Sequence, residues 1–180
     1  VDFTIGSDYV EFGTYAIVAA LTGGEIEIEK NNLPDLEPII YHLSKMGINF
    51  KNNEDAIVVS AHDLRALPKL HTNIWPGFPT DLMSAAIVLA TRAQGVSLMH
   101  DWMYESRMFF VDKLIAMGAN IIIADPHRVL ISGPASLQGK RLESPDLRAG
   151  MALVLAALVA DGVSTIDRAE LIERGYEDVV

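Results

Sequence analysis

One pattern occurs three times along this chain of 180 residues, and a period near seventy residues restricts the fold to stacked or ring-closed supersecondary units. Each copy places an acidic residue at the head of a strongly apolar stretch: Asp8 in SDYVEFGTYAIVAALTGG, Asp81 in TDLMSAAIVLATRAQG and Asp146 in PDLRAGMALVLAALVADG. Each stretch reads as a helix stopped by glycine, at Gly24, Gly95 and Gly162. Each stop leads directly into a strand-like run, EIEIEK, VSLMHD or VSTIDR.

The first two copies stay in register beyond that strand, because LSKMGINF recurs as LIAMGANI. An amphipathic helix with Leu36, Ile39, Ile40, Leu43 and Met46 on one face, or Phe110, Val111, Leu114 and Met117, ends at Met-Gly, where Gly47 or Gly118 supplies a left-handed residue. Two apolar runs around turn residues follow, INFKNNEDAIVVSA and NIIIADPHRVLISG, and read as hairpins. The unit is helix, strand, helix, hairpin. Units of about 1–70, 71–140 and 141–180 divide a single domain of 1–180, the last incomplete. Because the third copy stops at Val180 and the chain opens on Val1, a fragment of something larger is expected. Loss of the third unit's second helix and hairpin predicts that the inner helix, residues 147–161, is left uncovered and that the chain self-associates through it.

Patterning assigns the layers. AAIVLA and MALVLAALVA are apolar nearly all round and belong at the centre, whereas the strand Glu25-Ile26-Glu27-Ile28-Glu29 alternates and keeps one face in water. Helices inside and sheets outside give the expected fold: α/β, an inside-out α/β barrel of three repeated βαβαββ-like units with the last truncated.

Composition removes several function classes. With 24 acidic and 14 basic residues the net charge is −10, which argues against a nonspecific nucleic-acid surface. The richest apolar run, MALVLAALVA, is half the length needed to span a bilayer and is followed by Asp161, so a cytoplasmic protein is expected. With no cysteine there is neither a disulfide nor a thiolate nucleophile or metal ligand. His42, His62, His71, His100 and His127 form no i,i+4 pair, so no metal site is expected, and no nucleotide-binding glycine motif suggests a cofactor. Trp75 and Trp102 read as packing residues.

The ordinary role of Asp8, Asp81 and Asp146 at helix starts is N-capping. If the three helices run parallel, however, their N-termini converge into an amide-rich end suited to an anion, with Asp81 facing it. Arg107 in YESR and Arg174 in LIER hold matched positions after the second and third strands, and Arg148 lies two residues inside the third helix start. A cation opposes the dipole at a helix N-terminus, so three such arginines point to a phosphate or carboxylate ligand.

The segments FPTDLMSA, MYESRMFFVDKLIAMGANI, SPDLRAGMALVLAALVADGVSTIDR and ERGYEDV, in this order and spacing, resemble the enolpyruvyl transferase family across essentially the whole chain. The resemblance is to the branch that moves the enolpyruvyl group of phosphoenolpyruvate to UDP-N-acetylglucosamine in peptidoglycan precursor synthesis. It implies a two-domain enzyme with its site in the cleft, of which this chain is one domain, inactive alone. It implies that the missing second domain, as partner, brings a lysine for phosphoenolpyruvate, a cysteine loop and most nucleotide contacts. It further implies that Asp81 contacts the sugar hydroxyl and accepts its proton, that Met103 touches the nucleotide sugar, and that Arg174 lies on the phosphoenolpyruvate side. Arg107, Asp146 and Arg148 match polar cleft residues. Tyr104 and Ser106 depart from the family's FENR. The KESDR signature of the shikimate 3-phosphate branch is absent, which leaves that branch and a noncatalytic nucleotide-sugar binding module as the alternatives.

Overall fold

A computed structural model describes residues 2, 5–30 and 32–176; Glu177 of the RGYE motif and the chain end at Val180 lie outside the described residues. The first helix, α1 (Tyr9–Thr22), is followed by β1 (Glu25–Glu29), α2 (Glu37–Lys45), β2 (Ile48–Asn52) and β3 (Ala56–Ala61). Next come β4 (Lys69–His71), a 3-10 turn at Thr80–Leu82, α3 (Met83–Arg92), β5 (Gly95–His100), α4 (Val111–Ala116), β6 (Asn120–Asp125) and β7 (Arg128–Gly133). The last elements are β8 (Arg141–Glu143), α5 (Leu147–Leu158), β9 (Thr165–Asp167) and a 3-10 helix at Ala169–Arg174.

Strand order recurs along with the sequence pattern. The first sheet is β1-β3-β2, all antiparallel, and the second contains β5-β7-β6 in the same arrangement, with β4 added parallel to β5. β8 and β9 form a parallel pair. The three-residue strands β4 and β8 are too short to show a period, and pairing with β5 and β9 defines them.

The glycine punctuation operates, with an offset. In α1 the left-handed residue is Gly23 (φ 68°), one before the expected Gly24. α3 ends at Arg92 and α5 at Leu158, so Gly95 and Gly162 are not their caps; each instead has positive φ where the chain turns into its strand region. Gly47 and Gly118 take φ 96° and 104° just past α2 and α4, as Met-Gly predicted. On those two helices and their cap positions Leu36, Ile39, Leu43 and Met46, and Phe110, Val111, Leu114 and Met117, are all buried, whereas Ile40, expected on the same face, is half-buried.

The interior is helical. Every residue of α3 from Met83 to Thr91 is buried, and α3 packs against α1, α5 and the inner face of β7. The expected uncovering of residues 147–161 does not occur. The 3-10 helix at Ala169–Arg174 folds back on α5 with Ile172 buried, β8–β9 lies alongside, and large exposure on α5 is confined to Leu158. The outer wall also departs from the single alternating strand that suggested its polarity. β1 exposes its glutamates, but the second sheet leaves Val96, Ile122 and Leu130 in water. Among the described residues no helix is long and apolar enough to cross a membrane.

Candidate active site

The starts of α1, α3 and α5 adjoin. Ser7 and Tyr9 share a groove of about 700 Å³ with Pro79, Thr80 and Met103. Asp81, Tyr104, Ser106, Arg107, Asp146, Leu147 and Arg148 line a second, open cavity of about 370 Å³.

The three aspartates differ in what they do. Asp8 accepts hydrogen bonds from the Val10 and Glu11 amides at 2.8 and 3.0 Å, and Asp146 from the Arg148 and Ala149 amides at 2.8 and 2.9 Å, so both are N-caps. Asp81 is not a cap. The backbone tightens into the 3-10 turn Thr80–Leu82 before α3, the cap position falls on Pro79, and no side chain caps this end. The Asp81 carboxylate is thereby released to project outward, where Oδ1 pairs with Arg107 at 3.2 Å and Oδ2 with Arg148 at 2.8 Å.

The arginines therefore already face an anion belonging to the protein. Arg148 sits in the first turn of α5, its backbone N–H donating to Asp146 while its guanidinium reaches Asp81 and lies 6.0 Å above the Tyr176 ring. Arg107 is not at a helix entrance: it belongs to the turn before α4, is only 11% exposed, and stacks 4.8 Å from the Tyr104 ring. Asp81 itself is 34% exposed, the most open member of the triad. Tyr176, beside the Arg148 guanidinium, is itself buried; burial raises its phenol pKa, opposed by its hydrogen bond with Thr14 and by the charge of Arg148.

Two expected members stand apart. Arg174 lies on the exposed last turn of the 3-10 helix and has no ion pair among the described residues, unlike its sequence counterpart Arg107. Met103 lines the larger groove rather than the Asp81 cavity. That groove is markedly apolar at its rim, with Ile74, Trp75 and Met103 all exposed. Trp75 and Trp102, read as packing residues, are each about half exposed, although Trp102 Nε1 donates to the Thr72 carbonyl at 2.7 Å.

Sequence reasoning missed Asp101. It is fully buried at the end of β5 and accepts hydrogen bonds from the hydroxyls of Thr72 (3.1 Å) and Thr80 and from the amides of Met103 (2.9 Å) and Tyr104 (3.4 Å). A carboxylate directly after the apolar run VSLM is the signal that was available, since an interior charge persists only where donors surround it. Among the described residues no cluster of histidine, aspartate and glutamate has the makings of a metal site.

A family model described as EPSP synthase (3-phosphoshikimate 1-carboxyvinyltransferase) matches residues 1–180. The chain is similar to the UDP-N-acetylglucosamine 1-carboxyvinyltransferase of Borreliella burgdorferi, at 48% identity over 99% of this chain and 44% of the relative. It is similar to the enzyme of that name from Treponema pallidum at 49% identity, with the same coverage of each. Among solved structures, the enolpyruvyl transferase NikO from Streptomyces tendae superposes with a TM-score of 0.87 at 26% identity, over 100% of this chain and 43% of that one. An EPSP synthase from Acinetobacter baumannii, at 20% identity and a TM-score of 0.73 over 96% of this chain and 43% of its own, shares the fold. The chain spans about 44% of the length of the curated relatives it matches.

Proposed function

Because the chain belongs to the EPSP synthase family of enolpyruvyl transferases, we propose that it is one domain of a transferase that moves the enolpyruvyl group of phosphoenolpyruvate to UDP-N-acetylglucosamine. The observation that carries this reading is the Asp81 carboxylate, open to a cavity and suspended between two guanidinium groups. A sugar hydroxyl is too weakly acidic to add to an enol phosphate unless a base takes its proton as the bond forms. Phosphoenolpyruvate carries a phosphate and a carboxylate, for which planar guanidinium groups are well-matched partners. An entering anion competes with Asp81 for Arg107 and Arg148, which frees a carboxylate oxygen to turn toward the hydroxyl. The same arginines hold charge that shifts during addition and elimination.

On this reading Asp146 supports the site by capping α5 and holding the Arg148 backbone, Met103 offers nucleotide-sugar contact from the larger groove, and exposed Arg174 meets phosphoenolpyruvate once the rest of the enzyme is present. The remaining length of the relatives supplies the opposite wall of the cleft. Three βαβαββ-like units in an inside-out barrel, the last shorter, describe the architecture best, given the shared strand order of the two sheets and the buried α3. A cytoplasmic role in peptidoglycan precursor synthesis accompanies the substrate assignment.

The test is Asp81→Asn in a full-length protein carrying this chain together with the remaining part of its relatives' length. Turnover, followed as phosphate release, should fall by at least ~10²-fold, the lower end of general-base assistance. Melting should shift by no more than ~1 kcal/mol equivalent, because Asp81 caps no helix and its ion pairs are partly solvated. Turnover within a few-fold of the parent would refute the base assignment. Binding of UDP-N-acetylglucosamine with no turnover in the intact full-length protein would favour the noncatalytic module.

A further inference from the structure

We infer that Asp101 is a positioning residue that sets the direction of the Asp81 carboxylate by holding both of its neighbours at once; this rests on the proposed role of Asp81 as base. Asp101 Oδ2 accepts the hydroxyl of Thr80, the residue immediately before Asp81 in the 3-10 turn. The same oxygen lies 3.8 Å from Nε of Arg107, whose Nη2 holds Asp81 Oδ1 at 3.2 Å. One oxygen thus anchors the backbone from which Asp81 springs and the cation against which it rests.

The rest of the carboxylate is tied to the framework. Oδ1 takes the Thr72 hydroxyl at the end of β4 and the amides of Met103 and Tyr104. The Asp101 main chain is latched in turn, its N–H donating to the His127 carbonyl at 2.9 Å and its carbonyl lying 2.7 Å from His127 Nδ1. Arg107 Nε is buried with no hydrogen-bond partner, and the Asp101 carboxylate lies 3.8 Å from it, while Asp81 is held by a different nitrogen, Nη2. A buried carboxylate with this many converging donors costs desolvation, and a core built only for stability would not need it. Holding a partly exposed carboxylate within the narrow orientation that proton transfer demands is a reason for it to be there.

The test compares Asp101→Asn, Thr80→Val and Thr80→Ser, with Asp81→Asn alone and combined with each, in the full-length protein described above. Asp101→Asn keeps the shape but places an amide where Thr80 and Arg107 expect an anion, and Thr80→Val removes the hydroxyl at nearly constant volume. Both should lower kcat by about 10-fold or more, toward the ~10²-fold that a 1 Å misplacement can cost, with KM for UDP-N-acetylglucosamine changed less than about three-fold, and Thr80→Ser should recover most of the turnover. On the Asp81→Asn background the added substitutions should cost little further kcat, because the group they orient is gone. If Asp81→Asn is impaired while Thr80→Val turns over normally, or if the losses multiply, the positioning role is refuted and the base assignment stands. Normal turnover in Asp81→Asn refutes the base assignment itself. Should Asp101→Asn fail to fold, the Thr80 pair carries the decision alone.

Discussion

At the scale of the residue, identical letters in identical repeat positions come to different uses. Asp8, Asp81 and Asp146 all precede apolar helices, yet only Asp8 and Asp146 satisfy backbone amides, because α3 is entered through a 3-10 turn whose cap position is Pro79. The cost of losing such a cap is about 1 kcal/mol, whereas a carboxylate freed from capping is available for chemistry. Residue-level environment also governs pH response. His42 has its pKa lowered from 6.5, first by desolvation and then by Lys45 and His71, against its hydrogen bond with the Pro38 carbonyl. His100 is lowered as well, by desolvation and by Lys69, Arg128 and His71. Where the folded pKa lies below the unfolded one, the unfolded chain binds more protons in the window between them, so stability is complete above 6.5 and declines as pH falls below it. Melting temperature should therefore fall as pH is lowered from neutral through 6.5 and below, with a shallower slope in His42→Gln. A parent melting temperature that is flat across this interval would contradict the expectation.

At the scale of the element, close approach rather than propensity decides what covers α5. Gly150 faces the 3-10 helix at Ala169–Arg174, and a Cβ there would stand 2.2 Å from Ser144 Oγ and 2.8 Å from Ile172 Cγ1. Ser144 is fully buried and its hydroxyl donates to the Asp146 carbonyl at 3.1 Å, so neither neighbour can yield without loosening the α5 start. Although alanine is the better helix former, Gly150→Ala should destabilise by roughly 1–3 kcal/mol, the cost of overpacking. A denaturant midpoint at or above that of the parent would show that the 3-10 helix repositions freely. Proteolysis within 169–174 should accelerate in the variant, which separates undocking of this segment from general instability.

At the scale of the molecule, the proposed function makes this chain one wall of a cleft. The cavity around Asp81 is open, and the chain covers about 44% of its relatives' length. By itself the chain should release no phosphate from phosphoenolpyruvate and UDP-N-acetylglucosamine, even at high protein concentration, whereas the full-length protein should. Ready turnover by these 180 residues alone would overturn the reading of the chain as part of a larger catalytic unit. With α5 largely covered, the exposed apolar surface that can promote association in light scattering includes the outer face of the second sheet, at Val96, Ile122 and Leu130, and the groove rim at Ile74, Trp75 and Met103.

Periodicity alone was enough to determine which segments become helices and hairpins, where Met-Gly ends α2 and α4, and that the all-apolar helices lie inside, because these follow from local backbone preference and from the matching of apolar faces. Motif order brought Asp81, Arg107, Asp146 and Arg148 into view together. Only the tertiary structure decided that Asp81 pairs with arginines rather than capping α3, that Arg107 is largely shielded while its counterpart Arg174 is exposed, and that Asp101 carries the hydrogen bonds behind them. The physical reason is distance along the chain: Thr72 and Thr80 belong to the connection after β4, Asp101 and Arg107 to the connection after β5, and a carboxylate's partners are set by where packing brings those two segments, which no local pattern records.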